Sequence, residues 1–185
     1  MIYYKVLNED GSACHGGKGK WHLPVPPDPG RWMPKIKVID PCNAGYHLCR
    51  RRDLLFWLCP VIWEAEGDGD FMECENKVVF QTARLIRRLD TWNEVSARLF
   101  ACDCADHVVH FPDDVRCAEA IKVARLYAAG KATVEELAAA REAAWAASEA
   151  AAAWSPAWSP AWAAARAAEH ECQTERLFFY LGETP

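Results

Sequence analysis

The side chains able to do chemistry fall into two clusters. Asp103, His107 and His110 recur at i, i+4 and i+7, a spacing that places all three on one face of a helix. Two imidazoles and a carboxylate can ligate a transition metal, and Cys104 lies near enough in the sequence to join them. The same side chains can instead bridge neighbouring helices, with Asp103 accepting a hydrogen bond from an imidazole. The second cluster is Cys42-Asn-Ala-Gly-Tyr-His47-Leu-Cys49. Thiolate and imidazole are the usual zinc ligands, and Cys14, His15 or His22 could complete a set. The spacing matches no standard knuckle, so substoichiometric zinc and no cofactor are expected. The alternative for this stretch is a short strand, with Tyr46 and Leu48 packing a sheet and the thiols acting as small apolar groups. Cys49 beside His47 or His15 also has the residue types of a nucleophile, with Arg50, Arg51 and Arg52 supplying positive charge. Gly16-Gly17-Lys18-Gly19-Lys20 lacks both the Ser/Thr and the following helix of a phosphate loop, and reads as a flexible basic loop. The residues expected to face a ligand are Tyr46, His47, Cys49 and Arg51; those expected for a metal are Asp103, His107 and His110.

The elements that must position them divide the chain in two. Residues 2–7 alternate as a strand, and residues 8–12 form a turn. A Gly- and Pro-rich loop follows over residues 16–34, pinned by Trp21 and Trp32. Further strands are expected at 35–39, 61–66 and 77–89, a short helix at 51–58, and turns at 41–45 and 68–70. From Thr91 onward the signals are helical. Thr91/Glu94 and Thr133/Glu136 have capping-box spacing, Asp113 and Asp114 are cap candidates, and Gly130 sits where a helix ends. These marks predict helices at about 91–110, 113–129, 132–153 and 160–182. Val95, Leu99, Cys102 and Val109 form the expected apolar stripe of the first. Eleven of the sixteen residues at 138–153 are Ala, the strongest helix former. The repeat Trp154-Ser-Pro-Ala-Trp158-Ser-Pro-Ala-Trp162 predicts a bend, since two prolines cannot both sit deep in one helix. Leu177, Phe178, Phe179, Tyr180 and Leu181 form an apolar plug that must pack somewhere. The expected fold is α+β: a small, mostly antiparallel sheet module over residues 1–90, followed by an Ala/Trp-rich helical bundle over residues 91–185.

Charge narrows the partners. The net charge of −5 divides into +1 over residues 1–90 and −6 over residues 91–185, and an acidic helical half is a poor match for a phosphate backbone. The arginines at 50–52 and at 84, 87 and 88 read as solvated surface charge, so nucleic acid is not an expected partner. No stretch has the roughly 18 uninterrupted apolar residues of a membrane span, and a cytoplasmic location is expected. There the nine cysteines would be mostly thiols, and their odd number and irregular spacing argue against a disulfide framework.

Two segments resemble known families. Ala97-Arg-Leu-Phe-Ala-Cys-Asp-Cys-Ala-Asp-His107, with Pro112-Asp-Asp, Gly130 and the Ala-rich helix, resembles the Imm5-like immunity proteins over residues 97–150. Gly45-Tyr-His-Leu-Cys49, a short helix and Val61-Ile-Trp-Glu-Ala-Glu66 resemble an uncharacterised domain of phage and actinobacterial proteins, and are similar to the core of ADP-ribosyltransferase-like folds. These resemblances imply a phage or bacterial accessory protein of conflict systems, of immunity or anti-defence type. It would act by binding or sequestering a partner protein or a small ligand, with oligomers possible. The alternative class is a metal-dependent or ADP-ribosyltransferase-like enzyme.

Overall fold

The computed structural model describes residues 2–108, 115–152 and 160–183, and divides into two compact units. The first comprises residues 1–93 and 177–185, the second residues 94–176. The expected helical module thus yields its last residues to the sheet unit.

The architecture is α+β, as the alternating first half and helical second half require. The sheet has four antiparallel strands in the order β1-β3-β4-β2: β1 is Tyr3–Leu7, β2 Tyr46–Leu48, β3 Val61–Cys74 and β4 Lys77–Arg88. Tyr4 and Cys49 exchange both backbone hydrogen bonds, at 2.9 and 2.8 Å. The edge strand β1 therefore meets the end of β2, and the sheet curls back on itself. Its core gathers Leu7, Trp21, Leu48, Trp63, Phe80 and Leu85, with Tyr3 and Tyr46 partly buried against them. Because alternate strand residues share a face, Lys5 lies on the same face of β1 as Tyr3 and Leu7.

Several expectations are corrected. The expected turn at 68–70 is a bulge within the long strand β3, with the register shifting between Asp68 and Phe71. Gly69, at φ +78°, supplies the left-handed residue such a bulge uses. The reversal comes later, at Glu75 and Asn76. Residues 35–39 form no strand. Instead the chain from 30 to 36 runs irregularly beside β4, with Gly30, Met33 and Ile36 donating to the carbonyls of Leu85, Ala83 and Gln81 at 2.8–3.0 Å. Donors three residues apart, with Pro34 between them, cannot make a ladder. Trp21 is buried, but Trp32 is 40% exposed and carries the Arg84 guanidinium over its ring at 4.7 Å. Cys14 and Cys59 form a disulfide and the other cysteines are free thiols: folding brings together two loops that lie 45 residues apart.

Arg52 and Arg87 are exposed, as expected of solvated charge, but most of the clustered arginines also make ion pairs or ring contacts. Arg84 pairs with Glu66, Arg87 with Glu64 and Glu183, and Arg88 with Glu9 at 2.8 and 3.0 Å. Arg50 precedes the short helix Arg51–Phe56, which is a 3₁₀ helix, and clamps buried Asp53 at 2.6 Å. Its guanidinium also donates to the Cys74 and Glu75 carbonyls at 2.8 and 3.0 Å. Arg51 lies over the Phe178 ring at 3.7 Å. The apolar plug is the reason: Leu177, Phe178 and Leu181 are buried in the sheet unit, while Phe179 is exposed.

In the second unit the helices are α1 Glu94–Val108, α2 Val115–Ala128, α3 Val134–Ala152 and α4 Pro160–Tyr180, the last continuing into the first unit. Thr133 and Glu136 form the expected capping box at 2.7 and 3.2 Å. Thr91 does not cap α1 with Glu94; its hydroxyl donates to the Leu181 carbonyl at 2.8 Å. Gly130, at φ +68°, lets the Gly130 and Lys131 amides close onto the Tyr127 and Leu126 carbonyls, a Schellman ending. On α1, Phe100 and Cys102 are buried, whereas Val95 of the expected stripe is 48% exposed. Val109, the cap candidates Asp113 and Asp114, and residues 154–159 of the Trp-Ser-Pro repeat lie outside the described residues; the end of the repeat, from Pro160, begins α4. Among the described residues, no helix is long and apolar enough to cross a membrane.

Candidate functional site

The curled sheet unit holds a cavity of about 480 Å³, within the size range of small-molecule sites. β1 supplies Lys5 and β2 supplies Tyr46, His47 and Leu48, followed by Cys49. Trp21 and Trp57 add flat apolar walls, the glycine-rich loop forms a further side, and Lys77 opens β4. Lys5, Lys18, Lys77, His15 and His47 all line it. Among the described residues lining it, none is Asp or Glu.

Lys5 Nζ donates to the His47 carbonyl at 3.1 Å and stands 5.0 Å from the centre of the Trp21 ring. Burial pushes its amine down to about 8, and the like charge of Lys77 acts in the same direction. Lys77 Nζ lies 3.3 Å from Cys42 Sγ and 5.4 Å from the centre of the Trp57 ring. Cys42 has φ +77°, a conformation that non-glycine residues rarely adopt. Its backbone N–H donates to His47 Nε2 at 3.3 Å. Burial, then Lys77 and Lys5, push His47 down to about 4. The ring is therefore neutral at pH 7, as its acceptor role requires. Burial pushes the Cys49 thiol up to about 12. Cys49 is thus an uncharged thiol beside a neutral imidazole, and the thiolate needed for nucleophilic attack is not available.

Of the residues expected to face a ligand, the structure brings Tyr46, His47 and Cys49 together on the cavity. Arg51 stacks on Phe178 instead and is not among the lining residues. The cavity residues that sequence reading missed are Lys5, Lys77, Trp57 and Trp21. Lys5 had a signal, a lysine inside the apolar run Tyr3-Tyr4-Lys5-Val6-Leu7. Lys77 had none.

In the second unit, Asp103 is held between Arg125 of α2 at 2.7 Å and Arg176 of α4 at 3.3 Å. His107 Nδ1 lies 2.7 Å from Glu169 of α4, and its Nε2 lies 3.9 Å from Cys172 Sγ. Burial pushes the Cys104 thiol up to about 11. His110 lies outside the described residues. Of the two described members of the expected metal triad, Asp103 is thus engaged in ion pairs and His107 in a contact with Glu169, both between helices. The His107 side chain is 53% exposed, and polar pairs at that exposure contribute about 0–1 kcal/mol. His107→Ala should therefore cost less than about 1 kcal/mol in urea denaturation. A loss above about 2 kcal/mol would reveal a buried network instead.

Comparison with protein-family models, with curated proteins and with solved structures finds no match to this chain, so the cavity itself carries the functional reading.

Proposed function

We propose that this is a binding protein whose sheet unit captures a small anionic ligand bearing a flat ring, of nucleotide-like chemistry. The observation that carries this reading is the charge of the cavity: three lysines and two histidines line it without a carboxylate among the described residues. A half-buried ammonium costs free energy unless it meets a counter-charge, and here the protein offers Lys5 a carbonyl and a ring face. An anion would supply the missing charge, and Trp21, Tyr46 and Trp57 would cover its ring. A cavity favours a small ligand over a protein partner. The resemblance of residues 97–150 to Imm5-like immunity proteins supports placing this capture in phage or bacterial conflict, as sequestration of a small signal.

The test is calorimetric titration with phosphate, pyrophosphate and nucleoside mono-, di- and triphosphates, on wild type and on Lys5→Met. At least one nucleotide should bind with micromolar or better affinity, and Lys5→Met should weaken it at least tenfold. The same substitution should raise the melting temperature, because it removes a desolvated charge and keeps the packing volume. The pH dependence has a definite sign. Burial lowers the Lys5 amine to about 8, so affinity should be level between that pH and the second phosphate ionisation at about 6. It should fall by up to about tenfold per pH unit above about 8, because in the complex Lys5 keeps a proton that the free protein has released. Absence of binding by every probe, or equal binding by Lys5→Met, would overturn the proposal.

A further inference from the structure

We propose that Cys14, Cys59 and His15 form a redox-controlled site for a thiophilic divalent cation, with zinc as the reference ion, assembled when the Cys14–Cys59 disulfide is reduced. The two sulfurs and a His15 ring nitrogen lie within 4.8 Å of one another, and among the described residues this is the group of His, Cys, Asp and Glu gathered closely enough to hold an ion. The Cys42, His47 and Cys49 set that sequence spacing singled out is not gathered this way. Cys42 Sγ contacts Lys77, Cys42 N–H donates to His47, and Cys49 is a buried thiol.

His15 links the two states. Its Nε2 lies 2.9 Å from the Trp57 carbonyl and 3.3 Å from Cys59 Sγ. In the disulfide form Nε2 carries the proton and donates to the carbonyl, since a carbonyl can only accept. In the metal form the proton resides on Nδ1, and the Nε2 lone pair faces the ion. The chemistry balances. A dithiol reductant attacks the disulfide and becomes a disulfide itself, so two electrons and two protons pass to Cys14 and Cys59. The cation then displaces the two thiol protons, giving two thiolates and one imidazole as ligands. Three protein ligands leave one position of a tetrahedral zinc open. Cys14 and His15 both line the cavity, so that position is available to water or to an anion held there. His15 is exposed and both cysteines are partly exposed, so reductant and ion have access.

The test uses the full chain, reduced with a dithiol and desalted under anaerobic conditions, then titrated with cobalt(II) as the optical probe and with zinc in competition. Reduced protein should take up one equivalent, with thiolate charge-transfer and tetrahedral ligand-field bands. Oxidised protein should show neither. Cys14→Ser and His15→Ala should each weaken binding at least tenfold, and Cys42→Ser should leave it unchanged. His15→Ala retains both cysteines, so it tests the site even if loss of the disulfide disturbs folding. No tetrahedral bands at stoichiometric cobalt, or undiminished bands in both His15→Ala and Cys14→Ser, would overturn the proposal. Because the readout is the metal alone, its failure is separable from a failure to bind nucleotides.

Discussion

Phe178→Ala should destabilise the sheet unit by about 3–5 kcal/mol, the range for emptying a large aromatic site in a packed core. Phe178 has no exposed surface. One edge meets the Tyr4 ring at a centroid separation of 5.2 Å, and its face meets the Arg51 guanidinium at 3.7 Å. Leu177 and Leu181 flank it in the same core. The Glu183 carboxylate follows, accepting from the Tyr4 hydroxyl at 2.9 Å and pairing with Arg87 at 2.9 Å. Truncation would leave a void beside Tyr4 and leave Arg51 without its apolar platform. Urea denaturation read by tryptophan fluorescence should report the loss. Phe179→Ala is the control, since Phe179 is 70% exposed, and it should change stability by no more than about 0.5 kcal/mol. Equal effects of the two substitutions would mean that the plug is not seated as described.

Asp53→Ala should cost about 1.5–3 kcal/mol, because it removes the buried carboxylate that accepts from Arg50, while the guanidinium keeps Glu73 at 3.0 Å. The Asp53 side chain is 2% exposed and that of Arg50 16%. Asp53 accepts from Arg50 Nε at 2.6 Å, from its NH2 at 3.3 Å and from its backbone N–H at 3.1 Å. Arg50 in turn ties the start of the 3₁₀ helix to the β3–β4 reversal through the Cys74 and Glu75 carbonyls. The reverse substitution is informative. Replacing both partners with apolar residues of similar volume should recover most of the loss, since a buried pair costs about as much to desolvate as its attraction returns. An Asp53→Ala protein that unfolds at the wild-type urea concentration would show that the clamp contributes nothing.

What could be read from the chain depended on whether the signal was local. Alternation in Tyr3–Leu7, the Thr133/Glu136 box and Gly130 declare their structure within a few residues, and each is where it was expected. Asp68-Gly69-Asp70 carries a turn composition, yet cross-strand pairing of Gly67 with Ala83 and of Phe71 with Phe80 keeps the strand running through it. Val95 had helical spacing for burial, but which face of a helix is covered is decided by its neighbours rather than by its own sequence. The cavity was half legible. The Tyr46-His47-Leu48-Cys49 string stands out by residue type. Lys5, Trp57 and Lys77 come from three distant segments, and only the curling of the sheet places them around one space. The disulfide was hidden for the same reason.

The sheet unit is written in two instalments. Its first ends at residue 93 and its last begins at 177, and Tyr4 and Glu183, which bond to each other, are separated by 179 positions. A growing chain therefore emerges with the Phe178 seat empty while residues 94–176 are made. At about 5–20 residues per second that interval lasts roughly 4–17 s. Meanwhile the intervening helices, whose contacts are short in sequence, can form within microseconds to milliseconds. Folding of the sheet unit is accordingly a late event in the life of the nascent chain. Slowing translation across residues 94–176 should lengthen the time for which its apolar seat is open to chaperones and to aggregation.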